Sequence, residues 1–97
     1  MTLVPIFEHA GEFAENKDVA RQVRLELVLP ALKAGGEVAL DFAGVTGATQ
    51  SFVHALISEL FREFGSEVMD RLYFKNCGET VKKIIAIVTD YMQEAEG

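Results

Sequence analysis

Between Glu37 and Phe64 the apolar residues change period, and that change dictates two kinds of backbone joined by a short loop. The segment EVALDF places Val38, Leu40 and Phe42 at alternate positions, the repeat of a β-strand whose side chains point to opposite faces in turn. Past AGVTGAT, the residues Phe52, Val53, Leu56, Ile57, Leu60, Phe61 and Phe64 fall on one broad stripe with Glu59, Arg62 and Glu63 opposite, as in a helix packed on a core. Thr49, Gln50 and Ser51 stand at the start of that helix, and Gly65 closes it. A hydroxyl there can cap the free amides of the first turn, and it also lies where a helix best tolerates negative charge. A plain cap and a regulatory phosphate fit the position equally well.

The flanking segments continue the alternation. Leu3 to Phe7 is a short apolar run that reads as a strand, and Pro5, which cannot donate a ladder hydrogen bond, confines it to an edge or a bulge. Glu8 to Ala14 is expected to turn at Ala10-Gly11 and return as a second short strand. Asn16 caps a helix with Asp18 in its first turn and with Val19, Val23, Leu27 and Ala31 at four-residue spacing. Pro30 should kink or finish this helix, and Gly35-Gly36 stops the chain before Val38. Leu72, Tyr73 and Phe74 form a further strand. Asn76, with Glu79 three residues on, resembles a capping box that opens a third helix through Val81, Ile84, Ile85, Val88 and Met92. The prediction is an α/β sandwich, a single domain over residues 1–97, with a mixed, mostly parallel sheet of about four strands and about three helices. Right-handed crossovers make the strands at Val38 and Leu72 parallel neighbours.

Composition bounds the function. Hydrophobic residues make up 49% of the 97, enough side chain for one packed core. Nine Lys and Arg against 15 Asp and Glu give a net charge of −6, which opposes a nucleic-acid backbone and an anionic membrane as partners. Cys77 is the lone cysteine and no Cys/His cluster has zinc spacing, so neither an intrachain disulfide, a metal nor a cofactor is expected. The N-terminus, MTLVPIFEHAGEF, has no basic start and reaches acidic Glu8 after a short apolar run, unlike a signal peptide or a membrane span. The expected compartment is the cytoplasm.

Candidate functional residues gather on the loop from Ala43 to Thr49, which such a fold places at the C-terminal ends of its strands, where partners tend to bind. The expected binding edge comprises Gly44, Val45, Thr46, Gly47, Gln50, Phe52 and His54. Gly44 and Gly47 permit positive φ or a close approach, and Thr49 can cap the helix by accepting from the amide of Ser51 or Phe52. Ser51 is the phosphoacceptor candidate, with Thr49 as its cap or substitute. A phosphate on Ser51 would gain from the helix start while adding close to two negative charges to the edge. Asp41 braces the loop by accepting backbone hydrogen bonds. His54 follows Ser51 by three residues, but a Ser-His pair would also need an orienting acid and an oxyanion hole, and no nucleophile-elbow glycines surround the serine. Cys77 lies near a helix start with no CxxC companion, and Lys82 and Lys83 decorate an exposed face.

The run LDFAGVTGATQSFVHAL resembles the STAS domains, the fold of anti-sigma-factor antagonists, in which a strand leads through a Gly-Val loop to a serine at a helix start. It resembles more closely the STAS-like family of unknown function, through Leu40-Asp41-Phe42, Val45, Ser51-Phe52 and Phe74-Lys75-Asn76. The resemblance implies a STAS-like sandwich and places the antagonists' regulated serine on Ser51. Thr49-Gln50 replaces their preceding Asp-Ser, and Phe52-Val53 their following Gly-Leu. Bulky Phe52 in place of glycine changes access to Ser51. Partner switching in bacterial signal transduction is what the resemblance further implies, with an ATPase of the histidine-kinase superfamily acting as serine kinase or regulator.

The leading expectation is therefore a non-catalytic module that binds other proteins through the Gly44-to-Phe52 edge. A second is a constitutive scaffold or oligomer subunit, a homodimer included, that buries a helix or edge strand and accepts no phosphate. A third is a small hydrolase or ligand-binding protein using Ser51 and His54.

Overall fold

The computed structural model describes residues 1–96. The chain runs through β1 (Thr2–Pro5), α1 (Ile6–Ala10), β2 (Phe13–Ala14), α2 (Lys17–Val23), α3 (Leu29–Lys33), β3 (Val38–Asp41), β4 (Gly47–Ala48), α4 (Gln50–Phe64), β5 (Leu72–Lys75) and α5 (Glu79–Glu96). All strand pairs are parallel. Strands β1, β3 and β5 form one sheet in that order, and β2 and β4 form a second. The expected sheet of about four strands is thus divided three and two, while the predicted parallel pairing holds, with Val38 opposite Leu72.

Alternation within the strands sends Val4, Val38, Leu40 and Leu72 into the hydrophobic core and leaves Leu3 and Tyr73 exposed on the other face. Pro5 ends β1 at the sheet edge, as a residue without an N–H requires. The predicted run to Phe7 stops there, because Ile6 to Ala10 turns into α1 and buries Ile6 in the core. Gly11 then reverses the chain at φ 77°. The returning strand Phe13–Ala14 pairs with Gly47–Ala48 rather than with the first strand.

The stripe of α4 is the centre of the core: Phe52, Val53, Leu56, Ile57, Leu60 and Phe61 are all fully buried. Each such side chain contributes about 1.5–3 kcal/mol through the area it removes from water. Helix α4 packs between α2 and α5, and α5 adds Val81, Ile85, Val88 and Met92 from the stripe its sequence predicts.

Two terminations differ from expectation. Pro30 sits in the first turn of α3 and the helical path continues to Lys33. Ahead of it, Arg24–Val28 is π-helical, with the Leu29 N–H bonded to the Arg24 carbonyl five residues back, so the ladder is already widened where the proline lacks its donor. Asn76 does not cap α5. The Gly78 carbonyl accepts the bond from the Lys82 N–H, while Asn76 lies in the left-handed region at φ 57° and turns its side chain to Asp41. Arg71 secures the opposite end of the sheet. Its Nε and Nη2 donate to the Gly36 carbonyl at 3.2 and 3.1 Å, Nη2 also donates to Leu32, and the guanidinium lies 5.5 Å from the centre of the Phe64 ring.

Candidate functional site

The β2–β4 pair fixes where α4 begins. The Thr49 N–H donates to the Ala14 carbonyl at 3.0 Å, which holds Thr49 extended at φ −89°, ψ 157°. From there its Oγ1 accepts from the Phe52 N–H at 3.1 Å, one of the two caps its position allows. Ser51 is consequently the second helical residue, and its side chain is exposed. Phe52 is fully buried. It anchors the helix from inside and leaves the serine open.

The loop before the helix is braced at both ends. Asp41 Oδ1 accepts from the Ala43 N–H and from Asn76 Nδ2, each at 3.0 Å. These two bonds, the Asn76 bond first, and the charge of Lys75 hold the Asp41 carboxyl below its ordinary range against a smaller opposing effect of burial. Farther along, the Thr46 N–H donates to the Glu12 carbonyl at 2.8 Å. The two glycines of the loop serve aromatic contacts. A Cβ on Gly44 would stand 2.9 Å from Cδ2 of Phe7, and one on Gly47 would stand 2.7 Å from Cε1 of Phe13. Both phenylalanines are about half exposed.

Of the residues expected at the binding edge, Gly44, Thr46, Gln50 and Ser51 are exposed, and Thr49 and His54 are half-buried. Val45, Gly47 and Phe52 are buried and offer a partner no accessible side chain, because the loop folds inward onto the core it covers. Phe7 and Phe13, which the sequence reading did not single out, take the exposed ground beside them.

A groove of about 500 Å³ opens beside Ser51. The first two turns of α4 contribute Gln50, Ser51, His54 and Ala55, the first residue of α2 contributes Lys17, and α5 contributes Ile87, Val88 and Tyr91. Sequence reasoning missed Lys17, Ile87 and Tyr91. A signal for the last two was present: they are apolar residues one turn apart on α5, outside its buried stripe, and they are 50% and 61% exposed. Ser51 and His54 share the groove without a hydrogen bond between them among the described residues, and no carboxylate joins the lining. Cys77 is half-buried, and burial, the largest influence on it, pushes its thiol up rather than toward the thiolate.

Among the described residues no group of three or more His, Cys, Asp or Glu is arranged to hold a metal ion, and no helix is long and apolar enough to cross a membrane. No curated protein and no solved structure matches the chain. One family model does, that of a STAS-like domain of unknown function (DUF4325), over residues 19–82. Those residues run from the first turn of α2 through the braced loop and α4 to the opening of α5, and they make up more than half of the protein: the chain belongs to this STAS-like family.

Proposed function

We propose that this domain is a non-catalytic regulatory module that binds other proteins through the loop and the start of α4, and that phosphorylation of Ser51 switches its partner. The kinase on this reading is an ATPase of the histidine-kinase superfamily, and the setting is cytoplasmic signalling. The observation that carries it is the division of labour at the helix start. Thr49 supplies the cap and Phe52 the anchor, so the exposed Ser51 hydroxyl is spare. A phosphate there costs neither structural contact and meets the positive end of a helix. Thr49 is the poorer acceptor because its oxygen is already engaged.

The test is phosphate transfer. Proteins bound by the domain in native lysate would be recovered, incubated with the domain and ATP, and the mass of the domain measured. The expected result is one added phosphate that disappears in Ser51→Ala, together with weaker partner capture by Ser51→Asp than by Ser51→Ala. Equal capture by the two variants sinks the switch.

A second reading, a constitutive oligomer subunit, draws on the sheet. Parallel sheets are ordinarily covered on both faces, yet Leu3 and Tyr73 are exposed on neighbouring sides of β3. Sedimentation of the purified chain as a stable dimer that Leu3→Glu dissociates would favour it.

A further inference from the structure

Among the described residues the groove beside Ser51 has no carboxylate in its lining, although the protein is acidic. The protein carries a net charge of −6, but of the described Lys, Arg, Asp and Glu side chains only Lys17 lines the groove. The amides of Gln50 and Ser51 precede the first intrahelical bond of α4, made by the Val53 N–H to the Thr49 carbonyl, so this end also presents the positive pole of the helix. Ile87 and Tyr91 of α5 add exposed apolar surface to the same lining. A cation, a helix start and apolar side chains around about 500 Å³ fall within the size range of ligand clefts. Tyrosine is among the residues that most often anchor protein contacts.

We propose that this groove docks an extended acidic segment of the partner protein, with a carboxylate at Lys17 and the start of α4 and an apolar side chain against Ile87 and Tyr91. Charge complementarity selects the occupant. A carboxylate-bearing segment is repelled by most of this acidic surface and attracted here, whereas a basic segment would have no counter-charge in the groove. The inference deepens the Ser51 switch and its regulatory half rests on that reading: a phosphate on Ser51 would compete with the segment's carboxylate for the same cation and the same helix pole, and so release the partner.

The test uses the whole chain, labelled with ¹⁵N, and two tetrapeptides, acetyl-Glu-Leu-Phe-Leu-amide and its lysine analogue. Amide shifts are followed in titrations, with inorganic phosphate as a third titrant and melting curves to show that each variant folds. The acidic peptide should shift the amides of Ser51, His54, Ile87 and Tyr91 and bind about fivefold more tightly than the lysine peptide. Lys17→Glu and Tyr91→Ser should each weaken it by about the same factor. Equal binding of the two peptides, shifts centred elsewhere, indifference to Lys17→Glu, or phosphate producing the same shifts as tightly as the peptide would overturn the proposal. The regulatory half is read separately. Ser51→Asp should also weaken the acidic peptide, and unchanged binding there removes the switch while leaving the groove. Absence of peptide binding to the unmodified chain removes the groove while leaving phosphate transfer to Ser51 to its own test.

Discussion

Asn76 donates its side-chain amide to Oδ1 of Asp41 at 3.0 Å, joining the C-terminal ends of the parallel strands β3 and β5 where the loop leaves β3. Backbone strain accompanies the contact, since Asn76 is the one non-glycine residue with positive φ among those described. Asparagine tolerates this conformation better than most residues. The bond therefore links the loop's brace to a position where few side chains would serve.

A pH dependence follows from this bond. The Asp41 carboxyl titrates below its ordinary 3.8 because Asn76, then the Ala43 amide, favour the charged form. A lowered native value means that the carboxylate's contribution is complete above the unfolded value and is lost as the pH falls through the native one. In urea unfolding across a pH series, the stability advantage of the wild type over Asp41→Ala should hold at neutral pH and shrink below 3.8. Asn76→Ala should flatten that dependence. An advantage that grows on acidification contradicts the geometry.

Capping and phosphoacceptor roles separate by stability. Thr49→Ala removes the acceptor for the Phe52 N–H and should cost about 1 kcal/mol in denaturant unfolding, with Thr49→Ser losing much less. Ser51→Ala should stay within about 0.5 kcal/mol of wild type, as for surface positions without a structural task. A larger loss at Ser51 than at Thr49 would mean that the serine is the cap.

Gly44 answers to two constraints at once. Its φ is 87° and an added Cβ would press on Phe7 at 2.9 Å, so Gly44→Ala should destabilise by about 1–3 kcal/mol. Gly47→Ala meets only the half-exposed Phe13 ring, without a positive φ, and should cost less because that ring can swing outward. Thermal unfolding of the two variants gives the order directly.

Arg71 is a fourth structural point open to test. It donates to the carbonyls of Leu32 and Gly36 and covers the Phe64 ring. Arg71→Ala should cost about 1.5–3 kcal/mol. Arg71→Lys should recover less than half of that, since an ammonium cannot reproduce the planar fork. Full recovery by lysine would reduce the contact to simple charge.

Legibility in the sequence followed the range of the interactions. The stripe of α4, its Gly65 stop and the Asn16 cap were readable because each is set by residues within a turn or two, and Asn16 Oδ1 does accept from the Asp18 amide at 2.9 Å. Asn76 was misread for the same reason. Asn76 and Glu79 have the spacing of a local cap, but the bond that wins is to Asp41 on another strand. Pro30 likewise obeys its local chemistry, and a π-helical turn upstream absorbs it. At the site, Ser51 and Thr49 were visible as hydroxyls at a helix start, whereas Lys17 and Tyr91 lie far from them in sequence and meet them only in the packed helices.

The sequence by itself determined the order and kind of the main strands and helices, the buried stripes of α4 and α5 and the position of Ser51 in the first turn of α4. The helical path from α2 to α3, by contrast, buries Ala20, Val28 and Leu32 beside Val23 in place of the expected Val19, Leu27 and Ala31. Hydrophobic period and capping chemistry act over a few residues, so they are written locally. Tertiary structure alone decided that Phe13–Ala14 would pair with Gly47–Ala48, that Phe7 and Phe13 would settle on Gly44 and Gly47, and that α2, α4 and α5 would enclose a groove with one cation. A two-residue strand or an exposed ring has too few local constraints to choose its partner. The core brings distant segments together, and only then are their hydrogen bonds and contacts assigned.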